Sequence, residues 1–570
     1  MKTRALKSVV FLIIAALLIA GCGNSTGNNG GTTNTETGSN TETGNTDTAE
    51  KLEPMKITGF FSDPNANWNN MQDDVGKFLT EKTGITLEPE FAVGDPKQKI
   101  NLLAASGQYP DIISPKGDYS ALIEAGALLD LTDLIEEHAP NIKKVLGDQI
   151  KRLRYSEEDP SIYFIPTLDR VGQEYFDAGG PFNLQHAVAK ELGYPKIRTL
   201  KEYEEAIKAY KEKYPTINGQ PTIGLSLLAD DWRILISTTN PAFISTGAPD
   251  DGEYYINPET YEAMLHYKRP EEREYFRWLN HMNDIGLLDR ESFVQKYDQY
   301  KAKIASGRVL GTIDQEWEIG DAENALKAAG MHDRAYGHYP VTLDETYKPA
   351  NFQPTGFNTI WGIGITTSAK DPVRIIKFLD YLASEEGQIL INWGIEGKHY
   401  NVVDGKRVIP EDVMNQKVND NNAFKRETGI ENYNLSVRYG DGVKDSTGNY
   451  YTTVYPEQIL TNYSDIEKEV LAGYGITYWK DLFPKEDEFE VKPWGAAWSL
   501  PVPSDSDIPV TSQKVMDIVK KRIPEAILAK PEDFDKVYDM MLAEFEKAGA
   551  SKMEKEFTEL VKARVALWNE

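Results

Sequence analysis

The chain alternates between short strand patterns and amphipathic helix patterns, and this alternation constrains its fold more than any other feature. Residues 55–61 and 85–91 have the apolar alternation of strands. Residues 70–83 and 96–106 carry apolar side chains at helical spacing, and a third strand pattern begins at residue 111. Strands that alternate with helices predict parallel βαβ units, and therefore an α/β protein.

The same alternation continues along the chain of 570 residues. Further patterns follow, as helices at 201–214, 273–285 and 372–387 and as strands at 309–313 and 360–366. Nearly all of 513–570 is predicted as helix, interrupted by Pro524 and Pro531. A globular part of about 520 residues is too long for one compact core, so we expect two lobes.

The N-terminus has the pattern of a lipoprotein signal peptide. Lys2, Arg4 and Lys7 precede an apolar run over 8–20, which is too short to span a bilayer but suits a secretory signal. The run ends in LIAGC, and Cys22 is the only cysteine of the chain. We therefore predict that 1–21 is a signal peptide and that Cys22 carries acyl chains such as palmitate. The alternative is an ordinary cleaved signal in which Cys22 is incidental.

The segment after the cysteine is predicted to be a tether. Residues 23–50 consist almost entirely of Gly, Asn, Thr, Ser, Glu and Asp, which cannot build a core. We assign 22–53 to a lipid-bearing, disordered tether with a reach of about 30 Å. The formal net charge of −27 argues against binding to nucleic acid and favours neutral or cationic ligands. An anionic ligand stays possible if local arginines line its site.

Motifs for catalysis, cofactors and metals are missing from the sequence. None of the seven histidines lies in HExxH, and there is no GxSxG or Walker A motif. Gly362-Ile363-Gly364 lacks the third glycine of a dinucleotide fingerprint. We predict no enzyme activity, no cofactor and no metal. A pair of hydrolytic carboxylates has no sequence signature, however, so 89 acidic residues leave a glycosidase open.

Tryptophan is the residue type that points to a ligand. Ten are present, and several stand beside turn residues and charges: Trp68, Trp232, Trp317, Trp494 and Trp498. Aromatic faces stack on the C–H face of a pyranose, while acids, amides and arginines hydrogen-bond its hydroxyl rim. Trp278, Trp393 and Trp568 lie on helix faces and are expected in the core. A cleft with such a lining is the expected form of a carbohydrate site.

Four motifs carry a resemblance to a known family. They are LLAASGQYPDII at 102–113, GALLDLT at 126–132, LDYLASEEGQ at 379–388 and WGIEGKHY at 393–400. Together they resemble the signatures of family 1 extracellular solute-binding proteins, the receptors of carbohydrate ABC importers related to maltodextrin-binding protein. The last motif is typical of the long lipoprotein branch of Gram-positive bacteria. The resemblance covers 54–570.

The resemblance implies a fold, partners and a location. The family has a type II periplasmic-binding-protein-like fold, with two α/β lobes, a hinge and an interlobe cleft, here followed by extra C-terminal helices. By this resemblance, 54–170 and 345–400 form the N-lobe, and 171–344 and 401–570 form the C-lobe. We expect a monomer on the extracellular face of the cell membrane, held there only by its lipid anchor. It would capture an oligosaccharide and deliver it to the transmembrane subunits of an ABC permease.

Candidate ligand-binding residues come partly from the resemblance. It places Asp118 in the loop after the PDII strand and Trp317 at a stacking position, whereas Pro115 stands where maltodextrin-binding protein has a tryptophan. A ligand other than maltodextrin is therefore expected. Reasoning from the residues adds further candidates: Arg170 at the expected lobe crossing, Asp231 and Trp232, and, less strongly, Trp68 and Trp361.

The loop after the helix at 201–214 departs from the long relatives. Many of them have a calcium loop of the EF-hand type there, but residues 215–222 read PTINGQPT and lack the carboxylates that a hard cation needs. We predict no calcium at this loop. Two other functions stay open, a secreted polysaccharide-degrading enzyme and a sensor or adhesin that presents sugar, and the sequence does not identify the sugar.

Overall fold

The computed structural model describes residues 53–117, 119–357 and 361–569, with only the backbone of Asn419. The predicted signal peptide, the tether to residue 52, Cys22 and Asp118 lie outside the described residues. Within the described ranges, no helix has the length and apolar character needed to cross a bilayer.

The strands are, in chain order, β1 Met55–Phe61, β2 Ile85–Phe91, β3 Ile112–Ser114, β4 Ile165–Pro166, β5 Arg170–Val171, β6 Phe182–Gln185, β7 Thr216–Ile217, β8 Gln220–Pro221, β9 Ile223–Ser226, β10 Tyr254–Ile256, β11 Ala263–Leu265, β12 Val309–Ile313, β13 Tyr336–Tyr339, β14 Gly362–Ile365, β15 Asn401–Val403, β16 Lys406–Val408 and β17 Arg438–Tyr439.

The α-helices are α1 Asp74–Thr83, α2 Pro96–Ser106, α3 Ser120–Glu124, α4 Thr132–His138, α5 Pro140–Leu146, α6 His186–Glu191, α7 Leu200–Lys213, α8 Pro241–Ser245, α9 Pro270–Asp284, α10 Tyr297–Ala305, α11 Glu316–Ala328, α12 Pro372–Ala383, α13 Glu385–Trp393, α14 Glu411–Asn419, α15 Asn421–Thr428, α16 Pro456–Asn462, α17 Asp465–Tyr474, α18 Ile508–Leu528, α19 Phe534–Ala548 and α20 Ala550–Asn569. Short 3₁₀ turns and one π-helical turn, Leu235–Thr239, connect them.

The first sheet has five strands in the order β2-β1-β3-β14-β4. β1 pairs in parallel with β2 and β3, and β14 runs antiparallel to β3 and β4. Its apolar side chains, such as Ile57, Ile112 and Ile363, are fully buried. β14 needs its glycines, because a Cβ at Gly362 or Gly364 would lie only 2.8 or 2.9 Å from Phe164.

The second sheet has four strands in the order β13-β6-β12-β9. β9 and β12 are parallel, whereas β6 is antiparallel to both β12 and β13. Tyr203 of α7 lies beneath this sheet, and its hydroxyl donates to the carbonyl of Asn183 at 2.7 Å. The two sheets belong to separate apolar clusters, so each has a core of its own.

The cores differ from the lobe boundaries expected from the sequence. Phe424, Tyr433 and Val437 pack in the cluster of the first sheet, although 401–570 was assigned to the C-lobe. From Ile459 onward, buried side chains join the cluster of the second sheet. The segment around 424–437 therefore packs with the first sheet. The Tyr433 hydroxyl donates to Asp73 at the start of α1 at 2.7 Å, and the amide of Glu431 donates to the carbonyl of Ile391 in α13 at 2.8 Å.

Most element predictions are confirmed, including β1, β2, α2 and β12 with their exact bounds. The helix expected over 70–83 begins only at Asp74, because the side chain of Asp73 caps it by accepting the amide of Gly76 at 2.6 Å. The helix expected over 372–387 ends at Ala383, where extended Ser384 caps α13. Pro524 does not interrupt α18.

Three stretches of the described chain connect the two cores, at 167–181, 353–356 and 438–455. The first and third of them run side by side, since β5 pairs in parallel with β17 and aligns Arg170 with Arg438. The C-terminal helices pack on the second core, but the end of α20 also reaches the first. There Arg154 Nη2 donates to the carbonyl of Leu567 at 3.0 Å.

Candidate ligand-binding site

Two candidate tryptophans meet at one edge of the second sheet. Trp232 follows β9 and Trp317 follows β12, and the carboxyl ends of these parallel strands share one edge. Their ring centroids lie 6.0 Å apart with an angle of 19° between the planes. Trp232 is 45% exposed and Trp317 60% exposed. The two indoles therefore leave a large apolar area exposed, which marks a candidate ligand-binding surface.

Arg233 holds this tryptophan pair in place. Its Nε donates to Glu318 Oε2 at 3.0 Å and its Nη1 to Asp231 Oδ2 at 2.9 Å. Its guanidinium also lies over the rings of Trp232 and Tyr297, at 4.9 and 4.3 Å. Because Glu318 stands next to Trp317 on α11, a single arginine ties both indoles to one scaffold.

The loop that carries Trp232 is fixed by its own acidic residues. Asp231 has a positive φ of 49°, and this turn lets its side chain reach back to Arg233. Asp230 accepts from Lys296 Nζ at 2.7 Å and from the amide of Tyr297 at 3.3 Å. These contacts anchor the loop to the start of α10.

Asp314 lies between β12 and the tryptophan pair and is almost completely buried. Burial raises the pKa of Asp314 to about 8, although the amide of Gln315 donates to this carboxyl. Burial also raises the pKa of nearby Glu318, while Arg233 opposes that shift. At neutral pH the Asp314 side chain is therefore mostly protonated, and it lies beneath the surface rather than on it.

A cavity of about 650 Å³ lies where the chain crosses between the two cores. Its walls come from all three crossing stretches and from the first core: Gln149, Leu168, Asp169, Arg170, Val171, Gly172, Gln173, Tyr175, Pro354, Thr355, Gly356, Phe357 and Asp441. Tyr175 is half-exposed and packs against Phe352 with 5.3 Å between ring centroids. The predicted candidate Arg170 is part of this cavity.

Arg170 is paired rather than free. Its Nη1 lies 3.3 Å from Asp441 Oδ1, and Gln173 Nε2 donates to Asp441 Oδ2 at 2.9 Å. Arg438, aligned with Arg170 in the neighbouring strand, is buried and donates to the carbonyl of Thr167. Burial, reinforced by the charge of Arg170, lowers the pKa of Arg438 to about 9.

Trp361 lies at the start of β14 and meets a tryptophan from the other core. Its ring centroid is 4.9 Å from that of Trp498, a partly exposed residue that directly follows Ala497 of the other core in the sequence. Lys116 Nζ lies 5.7 Å from the centroid of Trp361 and forms an ion pair of 2.5 Å with Asp63. Trp361 therefore stands at a contact between the two lobes.

Trp68 has a packing role in the structure. It meets Tyr433 and Phe91 edge to face, at 5.5 and 6.4 Å between centroids, against the first core. The structure thus brings Asp231, Trp232 and Trp317 together and places Arg170 at the crossing cavity. It gives Trp68 no contact with these residues in the described part of the chain.

Sequence reasoning missed several residues of the site. Arg233, Glu318 and Tyr297 support the tryptophans, and Asp441 pairs with Arg170 across 271 positions of sequence. The sequence did carry one signal for the supporting residues, because the charged residues Asp231, Arg233 and Glu318 stand directly beside the two tryptophans. Nothing in the local sequence around Asp441 indicates its partner.

The loop at 215–222 is a hairpin in which β7 pairs with β8. Across the described residues, no group of three or more His, Cys, Asp or Glu side chains is arranged to hold a metal ion. The prediction that this loop binds no calcium remains a prediction.

Two cores joined by crossing stretches, with exposed aromatics at a sheet edge and a cavity between, define a two-lobed ligand-binding protein. A profile of the bacterial extracellular solute-binding protein family matches residues 75–393, and the chain belongs to this family. The members of the family are binding proteins.

Similarity to three named proteins supports the family assignment. Lipoprotein LipO of Bacillus subtilis is 23% identical over 71% of this chain and 76% of its own length. The polygalacturonan/rhamnogalacturonan-binding protein YtcQ of the same species is 21% identical over 70% of this chain and 75% of its own. The fructooligosaccharide ABC transporter substrate-binding protein FusA of Streptococcus pneumoniae is 22% identical over 56% of this chain and 59% of its own.

The solved structure of FusA in complex with kestose resembles this fold. It superposes with a TM-score of 0.63 at 16% sequence identity and covers 89% of this chain and 99% of that one. The two-domain, periplasmic-binding-protein-like fold expected from the sequence is thereby confirmed.

Proposed function

We propose that this chain is the substrate-binding lipoprotein of a carbohydrate ABC import system. It captures an oligosaccharide between its lobes and releases it to the transmembrane permease subunits. One observation carries the proposal: the exposed, stacked pair of Trp232 and Trp317 at the carboxyl edge of the second sheet. Sugar rings present an apolar face that stacks on such a pair, and the carboxyl edge of an α/β sheet is where ligands bind.

The polar groups beside the tryptophans and along the crossing cavity suit the hydroxyl rim of a sugar. Asp231 stands beside Trp232, and Arg170, Gln173 and Asp441 line the crossing cavity. Carboxylates, amides and guanidinium groups hydrogen-bond hydroxyls, whereas the indoles supply apolar contact. We assign Arg170, Asp231, Trp232 and Trp317 to the ligand, with Trp361 at the rim of the first lobe. Asp118, which lies outside the described residues, stays a candidate from the family resemblance alone.

The ligand is proposed to close the lobes about the three crossing stretches. On the basis of core packing, the first lobe takes 53–166 and 357–437, and the second takes 182–352 and 456–569. A ligand that touches both lobes favours the closed state by its additional contacts there. The binding step needs no covalent chemistry, so the chain is proposed to act without turnover.

The lipid on Cys22 and the tether up to residue 53 are proposed to hold the lobes at the extracellular face of the cell membrane. Acyl chains that bury many CH₂ groups, at about 0.8 kcal/mol each, anchor the chain stably. The LipO relative carries the word lipoprotein in its name and supports this assignment.

A thermal-shift screen of the purified chain against fructo-, xylo-, galacto- and pectic oligosaccharides tests the proposal. A ligand at a hundredfold excess over its Kd raises stability by about 2.7 kcal/mol, a clear rise in Tm. The sugar that shifts Tm is then recovered and analysed by chromatography. Recovery of intact sugar at one equivalent supports a binding protein. Fragments beyond one equivalent would instead identify a polysaccharide-degrading enzyme.

A further inference from the structure

We propose that the site selects uncharged oligosaccharides and rejects polyuronides. This inference rests on the proposed function and narrows it to a substrate class. It is carried by the pairing of cations at the site with carboxylates of this chain. The paired cations are Arg170 at the cavity, Arg233 and Lys296 at the tryptophan pair, and Lys116 at the rim of the first lobe.

The cavity at the lobe crossing is the first place where a uronate would need a cation. Its half-exposed arginine, Arg170, is held by Asp441, which also accepts from Gln173. The neighbouring Arg438 is buried and donates to a backbone carbonyl. Arg152 lies beside Gly356 of the cavity wall, and its Nη1 atom has no hydrogen-bond partner among the described residues. That atom is buried, however, and the guanidinium stacks on Trp568 at 4.6 Å.

The tryptophan pair shows the same pairing. Arg233 donates two hydrogen bonds, one to Glu318 and one to Asp231, and its guanidinium stacks over Trp232 and Tyr297. Lys296 is paired with Asp230 in the same loop. A sugar carboxylate above these indoles would therefore meet acids and occupied arginine donors.

The rim of the first lobe completes the pattern. Lys116 is bound to Asp63, which is itself more than half exposed. A sugar carboxylate is recognised best by a guanidinium with two free donors in a fork. At this site Arg170 already donates through Nη1 to Asp441, and Arg233 donates through Nε and Nη1 to Glu318 and Asp231. Displacing an internal carboxylate would leave a second anion beside the ligand, which like-charge repulsion disfavours. Hydroxyl groups can instead bind both members of each ion pair without separating them.

Isothermal titration calorimetry on the purified full chain tests this directly. Tetragalacturonate and its fully methyl-esterified form share one backbone and differ only at the carboxyl groups, which are charged in the first and neutral methyl esters in the second. Kestose, nystose and xylotetraose extend the neutral set. We expect the best neutral sugar to bind at least a hundredfold more tightly than tetragalacturonate. We also expect its Kd to stay constant between 50 and 500 mM NaCl. Tetragalacturonate binding within tenfold of the best neutral sugar overturns the inference but leaves the proposed function intact. Binding of none at millimolar concentration overturns the proposed function itself.

Two variants test the cause of the selection. Asp441→Asn frees Arg170 in the cavity, and Asp63→Asn frees Lys116 at an exposed position where folding is not at risk. For each folded variant we expect the affinity for tetragalacturonate to rise at least fivefold, with the gain lost at 500 mM NaCl. If neither variant gains affinity for the acidic sugar, pairing of the cations does not determine the selection and the inference fails.

Discussion

Trp232 and Trp317 stack on one another although 85 positions separate them in the sequence, with 6.0 Å between their ring centroids and 19° between their planes. They belong to separate βα connections, and they meet because β9 and β12 are parallel neighbours. Arg233 joins their supports by contacting both Trp232 and Glu318. The pair is therefore built by the fold, and it is left exposed where a ligand can cover it.

Replacing Trp317 by alanine should weaken sugar binding at least tenfold, which is about 1.4 kcal/mol. The reason is loss of the more exposed indole face, while the buried Asp314 and Glu318 beneath it remain. Trp232→Ala should have a similar effect. Calorimetry with the sugar that shifts Tm measures both variants.

Two variants control this result. Trp317→Phe keeps an aromatic face, so its loss of binding free energy should be less than half of the loss in Trp317→Ala. Val294→Ala alters a side chain that is exposed on the same lobe and should bind as the parent does. Unchanged affinity of the Trp317→Ala variant would remove the tryptophan pair from the site.

Replacing Arg233 by glutamine should lower affinity about five- to tenfold without a ligand contact being lost. The substitution removes the charge that pairs with Glu318 and Asp231 and frees Trp232 to reorient. Tryptophan fluorescence of the unliganded chain should change as well. Arg233→Lys keeps one ion pair, so its affinity should lie between those of the parent and the Arg233→Gln variant. An Arg233→Gln variant with the fluorescence and affinity of the parent would contradict the positioning role of Arg233.

Secondary structure was predicted well from the sequence where a local pattern of residues determines it. The strand at 309–313 and the helix at 96–106 were predicted with correct bounds because alternation and apolar spacing are local signals. The start of α1 was missed because one capping bond, from Gly76 to Asp73, outweighs the apolar pattern that precedes it. The break at Ser384 is likewise a capping effect.

The site was predictable only in part. Trp232 and Trp317 were predicted as ligand-binding candidates because they stand beside turn residues and charges in the sequence. The structure brings the two side chains together. The pairing of Arg170 with Asp441 depends on the register between β5 and β17, strands far apart in the sequence. The packing of 424–437 on the first core also depends on long-range contacts, such as Tyr433 with Asp73, that no local pattern encodes.

Asp314→Asn should flatten the fall of stability between about pH 4 and about pH 8. Burial raises the pKa of Asp314 to about 8 from an ordinary value of 3.8, so the folded state holds a proton that the unfolded state has lost. Stability from this group is therefore full below about pH 4 and declines as pH rises through about 8. Burial lowers the pKa of His338 to about 4, so its opposite effect is confined to pH values below about 6.5.

Thermal unfolding at pH 6.5 and 9 measures this effect. The parent should lose several degrees more of Tm than the Asp314→Asn variant over that interval. Asp505→Asn, on an exposed segment, serves as the control and should follow the parent. Equal losses in parent and Asp314→Asn variant would show that this carboxyl ionises normally.

Cys22→Ser should abolish lipid attachment. Cells fed an alkyne-tagged palmitate should label the parent chain, which should partition into the detergent phase of a cloud-point extraction. The Cys22→Ser variant should stay unlabelled, and Ser25→Ala, three positions further on, should label normally. An unlabelled parent would mean that the signal is an ordinary cleaved one.

Small-angle X-ray scattering with and without the bound sugar tests the central claim most directly. If two lobes close on an oligosaccharide, saturation should decrease the radius of gyration and narrow the distance distribution. The Trp317→Ala variant should need at least tenfold more sugar for the same change. Scattering curves that superimpose at a sugar concentration shown by calorimetry to saturate the site would contradict closure of the lobes on the ligand.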